Sequence, residues 1–290
     1  MNDQASKLRE MTAFYYAGQK EIKSFSSSSK CVSIAVSSGK GGVGKSNISL
    51  YLAQALALLN KRVMLLDADF GLANVHILLG INPQRSLKDV IDDRCSINDA
   101  MYGGPAGITV IPGMSGFKEM VEMSTFRIFE LLQKLKKIED QYDYLIIDSS
   151  AGVGQQVISF AQHVDIPIVV LSPDPTSLAD AYTLIKILAH YHSLPPHVIV
   201  NMARSSKEGI ETVEKISSLI RKFLRLSLES YLVLPYDQLI ARAVKGQCDV
   251  MNINPNALFI HRLKQYARLL TGTKKKSKEG FFSRILHKNF

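Results

Sequence analysis

The hydrophobic positions between residue 31 and about residue 270 fall into short apolar runs that alternate with longer amphipathic stretches. The runs are apolar throughout, which is typical of parallel strands covered by helices on both faces. They are CVSIAVSS (31–38), RVMLLD (62–67), GITVIPG (107–113), YDYLIID (142–148), DIPIVVLS (165–172), HVIVNM (197–202) and YLVLP (231–235). The pattern predicts an α/β fold with a doubly wound, mostly parallel sheet, in which the loops after the strands form the ligand-binding edge.

Two segments flank this region and differ from it in composition. Residues 1–20 are polar with apolar positions at roughly helical spacing, which predicts a separate helix, and the Ser-rich residues 21–30 predict a linker. The remaining organisation is a central domain at 31–270 and a basic amphipathic tail at 271–290.

The composition narrows the class of protein. A chain of 290 residues with 46% hydrophobic residues can bury a large core. Its three cysteines, Cys31, Cys95 and Cys248, form no CxxC pair and no disulfide framework, which favours a reducing compartment. The polar N-terminus and the lack of an apolar run of about 20 residues predict a cytoplasmic protein that does not span a membrane.

A phosphate-binding loop follows the first predicted strand. GKGGVGKS (39–46) satisfies the pattern GxxxxGK[ST], with a strand before it and the helical stretch NISLYLAQALALL after it. Glycines let the backbone N–H groups face phosphate oxygens, the lysine meets the β- and γ-phosphates, and the serine hydroxyl ligates Mg²⁺. The predicted nucleotide contacts are Gly39, Gly41, Gly42, Val43, Gly44, Lys45, Ser46 and Asn47. A chance glycine-rich turn would not explain the flanking strand and helix.

Acidic residues at the ends of two predicted strands complete this chemistry. Asp148 ends YDYLIID, Asp67 ends RVMLLD, and Asp69 follows two residues later. A single strand-end aspartate is often a helix N-cap, but three beside a phosphate-binding loop favour a magnesium shell and orientation of the attacking water. The sequence 201–204, NMAR, lacks the carboxylate of a guanine-reading NKxD element, which favours ATP over GTP.

Three stretches together resemble the MinD/ParA family of deviant Walker A ATPases. They are KGGVGKS with its early Lys40, LDADFGLANVHILLG and IIDSSAGV, and the resemblance covers about residues 30–270. It implies a homodimer formed with ATP, in which Lys40 crosses the interface to the phosphates of the partner. Hydrolysis would then need two subunits.

The same resemblance implies individual roles for the site residues. Asp69 would position water, Asp148 would be the Walker B acid, and Asp67 would lie near Mg²⁺. The positions that match adenine contacts of the family are Asn201, Pro235 and Asp237. Two residues depart from the family pattern: Ser46 replaces a frequent threonine, and His76 stands where an acid is common.

The N-terminus resembles one branch of this family. MNDQASKLRE matches the DQAxxLR motif of FlhG proteins, also called FleN or YlxH, which regulate flagellar number and placement. The resemblance implies that the N-terminal helix stimulates the GTPase FlhF, with Gln4 entering its catalytic site, and that switch-complex or transcriptional regulator proteins are further partners. The residues implied in partner binding are Asp3, Gln4, Ala5, Leu8 and Arg9. A frayed amphipathic terminus is the alternative.

The last 20 residues carry +5 of the net charge of +9, and their end is amphipathic. On a helical projection of GFFSRILHKNF, one face collects Phe281, Phe282, Ile285, Leu286 and Phe290. Such a helix suits the anionic inner face of the cell membrane, where aromatic and aliphatic side chains enter the acyl boundary. It also resembles the membrane-targeting tail of MinD-type proteins. A solvated tail and a helix packed on its own domain are the alternatives.

Other members of the same superfamily give the rival functions. A ParA-type DNA-partition ATPase would share the core and could use the basic run at 221–225, but the Phe-rich tail disfavours nucleic acid as a partner. A MinD-type division-site regulator is the other close alternative. Iron–sulfur carriers of the superfamily bridge a cluster with paired cysteines, and this chain has no CxxC. A scaffold without turnover would not need the complete set of phosphate-chemistry residues.

Overall fold

The computed structural model describes residues 30–69, 74–113, 125–191, 195–272 and 278–289. The predicted helix at 1–20, nearly all of the linker and Phe290 lie outside these residues. The described chain contains eight strands and a set of helices around them. None of its helices is both long enough and apolar enough to cross a bilayer.

The strands form one sheet in the order β3-β4-β2-β5-β1-β6-β7-β8. They are β1 (Val32–Ser38), β2 (Val63–Ala68), β3 (Tyr102–Gly103), β4 (Thr109–Ile111), β5 (Tyr144–Ala151), β6 (Ile166–Leu171), β7 (His197–Ala203) and β8 (Ser230–Pro235). Each apolar run overlaps one strand, and all pairings are parallel except that of β3 with β4. The predicted doubly wound α/β fold is confirmed. The edge strand β3 was not predicted, because two residues carry no periodic signal.

Helices cover both faces of the sheet. They are α1 (Lys45–Ala57), α2 (Val75–Leu78), α3 (Leu87–Ile91), α4 (Thr125–Glu139), α5 (Gln155–Ala161), α6 (Pro175–Tyr191), α7 (Ser206–Leu219), α8 (Gln238–Gly246), α9 (Val250–Ile253), α10 (Leu258–Thr271) and α11 (Phe281–Asn289). Alternate strand residues enter two separate cores. Ile34 and Val36 of β1 pack with α1 and α10, whereas Ala35 packs in the core beneath α4 to α7.

The strand order reverses at β1, which lies between β5 and β6. In open α/β sheets this reversal point is where ligands bind, beyond the carboxyl ends of the strands. The loop after β1 starts there, and β5 and β2 follow as the next strands on one side. The acidic ends of β2 and β5 are therefore brought beside the phosphate-binding loop, as the sequence predicted.

The C-terminal helix α11 is packed on the protein's own domain. Phe281, Phe282, Ile285 and Leu286 are at most 4% exposed and belong to the core beneath α4 to α7. The Phe281 ring lies 6.2 Å from the ring of Phe160 in α5. The sequence analysis expected these four side chains to face a membrane. In this conformation they face the domain, whose core is apolar like the interior of a bilayer.

Two buried carboxylates hold α11 in place. Glu139, at the end of α4, accepts hydrogen bonds from the backbone N–H groups of Phe281 at 2.6 Å and Phe282 at 3.4 Å, and so caps the helix. Arg284 makes a bidentate pair with Asp165, at 2.9 and 3.0 Å, and also donates to the Ser33 hydroxyl at 2.8 Å. We call these the docking contacts of α11.

Candidate nucleotide-binding site

The phosphate-binding loop joins β1 to α1 through a left-handed turn. Gly44, the N-cap of α1, has a φ of 82°, a backbone conformation that residues with a Cβ rarely adopt. The Ser38 hydroxyl donates to the carbonyl oxygen of Lys40 at 2.9 Å, which ties the loop to the end of β1. Helix α1 then begins with Lys45, Ser46 and Asn47. The loop therefore delivers the first N–H groups of a helix to the sheet edge, where anions are stabilised.

Lys45 is paired with the acid at the end of β5. Its Nζ atom lies 2.8 Å from Oδ1 of Asp148, and both side chains are buried. The Ser49 hydroxyl, one turn further along α1, donates to the same oxygen at 3.0 Å. The other oxygen, Oδ2, is buried and has no hydrogen-bond partner within the described part of the chain. The charge of Lys45 is thus neutralised by Asp148, and Oδ2 of Asp148 remains able to accept a further ligand.

Asp67 lies directly beside Asp148, since the two residues are paired in the register of β2 and β5. It is fully buried and accepts backbone N–H groups from Asp69, Asn74 and Val75 at 3.0 to 3.1 Å. Burial, followed by the charge of Asp148, raises the pKa of Asp67 to about 7. The Asp67 carboxylate thus holds residues on both sides of the segment after β2. Its negative charge is only partly stabilised by these N–H groups, and a bound cation would stabilise it further.

The residues fit the magnesium ion that the sequence predicted. Ser46, Asp67 and Asp148 supply hydroxyl and carboxylate oxygens, which are the ligands that Mg²⁺ prefers. The unpartnered Oδ2 of Asp148 and the raised pKa of Asp67 both indicate a site short of positive charge. When bound with a nucleotide, the ion would neutralise charge on the β- and γ-phosphate oxygens.

Lys40 lies on the outer side of the loop. Its side chain is exposed, and Nζ donates to the Thr176 hydroxyl in the first turn of α6 at 3.0 Å. The Asp69 backbone N–H donates to Asp67, which places this half-buried residue next to the two buried acids. Lys45 is inside the buried cluster, whereas Lys40 is at its surface.

The three positions assigned to adenine differ in what they contact. The Asn201 side chain, 5% exposed, donates from Nδ2 to the carbonyl oxygen of Val43 at 2.9 Å and thus touches the loop itself. Pro235 ends β8, opposite Ala203 of β7. Asp237 is the N-cap of α8 and accepts the Leu239 N–H at 2.8 Å. All three lie at the carboxyl ends of β7 and β8, on the same sheet edge as the loop.

His76, the departure from the family pattern, sits in the short helix α2. Burial lowers the pKa of His76, so the ring is neutral near pH 7. Its Nδ1 atom is buried and has no hydrogen-bond partner among the described residues. A neutral ring beside the segment after β2 cannot replace the charge of an acid.

Two site residues were missed by the sequence analysis. Ser49 could have been found, because it lies four residues after Lys45 and thus on the same face of α1. Thr176 gave no signal, since its partner Lys40 is 136 residues away in the chain.

Comparisons with known proteins agree on a family. The family described as ParA: NUBPL iron-transfer P-loop NTPase matches residues 30–222. The antiactivator FleN of Pseudomonas aeruginosa is 43% identical over 225 residues, covering 77% of this chain and 80% of FleN. The flagellum site-determining protein YlxH of Helicobacter pylori is 31% identical over an alignment of 296 residues, covering 99% of both chains.

Solved structures share the fold. The cell division ATPase MinD of Pyrococcus furiosus has a TM-score of 0.68 at 22% identity and covers 83% of this chain and 98% of its own. The septum site-determining protein MinD of Pyrococcus horikoshii, solved with Mg-ADP, has a TM-score of 0.68 at 21% identity, covering 83% and 96%. At these identities the likeness is one of architecture.

Proposed function

Because this chain belongs to the MinD/ParA family of P-loop ATPases and is FlhG-like, we propose that it is an ATP-driven switch that regulates flagellar number or placement. The observation that carries the nucleotide part is the buried pair of Lys45 with Asp148 beside Asp67. A cation and two acids at the end of a phosphate-binding loop form the charge set that Mg-ATP requires.

ATP binding exchanges the partners of Lys45. The lysine leaves Oδ1 of Asp148 for the β- and γ-phosphates, and Asp148 becomes available to the magnesium shell. The Ser46 hydroxyl, in the first turn of α1, would be a further oxygen ligand of the magnesium ion, and Asp69 would orient the attacking water. Because this chemistry is mainly positioning and charge stabilisation, the residues of one chain would bind and orient Mg-ATP, and hydrolysis would also require Lys40 of a second copy.

Lys40 completes the site of a second copy. Its exposed position on Thr176 supports this role, because a lysine at the surface of the loop can reach a partner placed against it. Mg²⁺ and a non-hydrolysable ATP analogue should convert the protein from monomer to dimer in light scattering, and ADP should not. A monomer under both conditions would contradict the switch.

The tail links this switch to the anionic inner face of the membrane. With α11 docked, its apolar face is unavailable, so membrane attachment requires its release. One short amphipathic helix binds lipid weakly, and two helices carried by one dimer gain from effective concentration. In this proposal the protein is cytoplasmic as a monomer and is bound peripherally to the membrane as an ATP dimer.

The flagellar assignment extends to this chain the role named for YlxH, a flagellum site-determining protein, and FleN is named as an antiactivator. Its proposed partner is an FlhF-like GTPase bound through residues 1–20, and switch-complex proteins or a transcriptional regulator are further candidates. Gln4→Ala should leave ATP turnover unchanged and reduce stimulation of the partner GTPase. Equal stimulation by Gln4→Ala and by the unaltered protein would contradict this branch of the proposal.

A further inference from the structure

A bulge interrupts the pairing of β7 with β8 at the edge of the nucleotide site. Val200 pairs with Val233, but the next pair is Ala203 with Pro235, so Asn201 and Met202 lie between them out of register. Met202 has φ of 61°, in the left-handed region that a residue with a Cβ seldom occupies. Bulges beside active sites re-aim side chains, and a strained residue persists only where its surroundings hold it.

The bulge aims Asn201 at the phosphate-binding loop. The side chain is 5% exposed, and its Nδ2 atom donates to the carbonyl oxygen of Val43 at 2.9 Å. The fit is close, since a Cβ built on Gly44 would lie 2.5 Å from Nδ2. The amide therefore fills the space next to the peptide unit that joins Val43 to Gly44.

That peptide unit determines where a phosphate-binding N–H points. The carbonyl of one residue and the N–H of the next share a plane and face opposite ways across a trans bond. A carbonyl of Val43 held on Asn201 therefore turns the Gly44 N–H away from Asn201. In loops of this type the successive N–H groups must converge on the phosphate, and a flipped peptide would present a carbonyl oxygen to an anion instead.

We propose that Asn201 is a positioning residue of the phosphate-binding loop, whose amide fixes the Val43–Gly44 peptide plane whether or not it also contacts the base. The inference rests on the proposed binding of ATP and adds a role for Asn201 beyond the contact with adenine that the family resemblance implies. Phosphate affinity then depends on a side chain from β7, across the sheet edge from the loop.

The test uses a ligand that has phosphates and no base. Asn201→Ala should weaken binding of both ATP and inorganic tripolyphosphate about tenfold in calorimetry, as expected for loss of one hydrogen bond to a buried carbonyl. In the ligand-free protein it should also increase amide hydrogen exchange in the peptide spanning residues 39–46. Weaker ATP binding with unchanged tripolyphosphate binding would overturn the inference, because the residue would then read only the base.

Two further variants separate loop positioning from loss of folding. Ser230→Ala removes a polar side chain at the opposite end of the β7–β8 pair and should change neither affinity. Asn201→Asp keeps the side-chain volume and removes the donor, so exchange in residues 39–46 should rise as in Asn201→Ala, and unchanged exchange in both would overturn the inference. If the unaltered protein binds neither ligand, the proposed nucleotide function fails instead.

Discussion

Asp67 and Asp148 are two buried acids side by side, and only Asp148 has a lysine within 2.8 Å. Asp67 is held by three backbone N–H groups, which stabilise its charge only in part. The proximity of Asp148 and the burial of the site therefore disfavour the charged form of Asp67 at neutral pH. Closely spaced acids are expected where a cation is to be bound, because they favour cation binding at a cost in stability.

The raised pKa of Asp67 predicts a pH dependence of stability. Between its ordinary value near 4 and about 7, the folded protein retains a proton that the unfolded chain releases, so the free energy of unfolding falls as pH rises through that window. In Asp67→Asn this fall should shrink by about 1–3 kcal/mol between pH 5 and pH 8. Urea denaturation without nucleotide measures the difference.

The control for this prediction is an acid with the opposite shift. Lys134 lowers the pKa of the exposed Asp93, so Asp93→Asn should keep the fall in stability between pH 5 and pH 8. An Asp67→Asn profile parallel to that of the unaltered protein would contradict the electrostatic account of the site.

Residue identities were predictable where a motif carries the chemistry. The loop, Asp67 and Asp148 follow from a glycine pattern and from acids at strand ends. Glu139 and Asp165 were not predictable as docking contacts, because their partners lie more than 100 residues away and a single acid has many uses. The contact of Asn201 with Val43 was missed because the two residues lie 158 positions apart in the chain.

At the scale of elements, α11 shows what a hydrophobic pattern determines. The spacing of its apolar residues does not distinguish lipid from protein as the surface that covers them, since both surfaces are apolar. The docked position depends on tertiary partners, the end of α4, the core beside α5 and Asp165. All strands except β3 were predictable, because short continuous apolar runs are typical of parallel strands that helices cover on both faces.

The docking contacts predict a variant that releases α11 without changing its sequence. Asp165→Asn leaves Arg284, 16% exposed, without its counter-charge, and a broken buried pair favours the undocked helix. Binding of the nucleotide-free protein to vesicles containing anionic lipid should increase about tenfold in sedimentation. Removal of residues 274–290 should abolish the increase.

A matched substitution tests whether the loss of any carboxylate would increase vesicle binding. Asp143 pairs with Arg62 at an exposed position, and Asp143→Asn should leave vesicle binding unchanged. If Asp165→Asn bound vesicles no better than Asp143→Asn, the docking contacts would not control the availability of the tail.

At the scale of the whole molecule, the nucleotide site and α11 occupy the same domain, and the proposed dimer joins them. The site presents Lys40 at its surface, and the tail presents its apolar face only after undocking. A second copy that receives Lys40 would also double the number of tails, which turns weak lipid binding into durable attachment. The sequence predicted the loop lysine and the amphipathic tail, but it offered the docked position of the tail only as an alternative.

The most direct measurement of the central claim is ATP hydrolysis by a mixture of Lys40→Ala and Asp69→Ala, two variants that the account predicts to be inactive when measured alone. If Lys40 acts on the partner's nucleotide, each mixed dimer contains one complete site, formed by Asp69 of one subunit and Lys40 of the other. The account predicts that an equal mixture recovers about a quarter of the unaltered rate, since half of randomly formed dimers are mixed. A mixture as inactive as its two components would contradict a site shared between two copies.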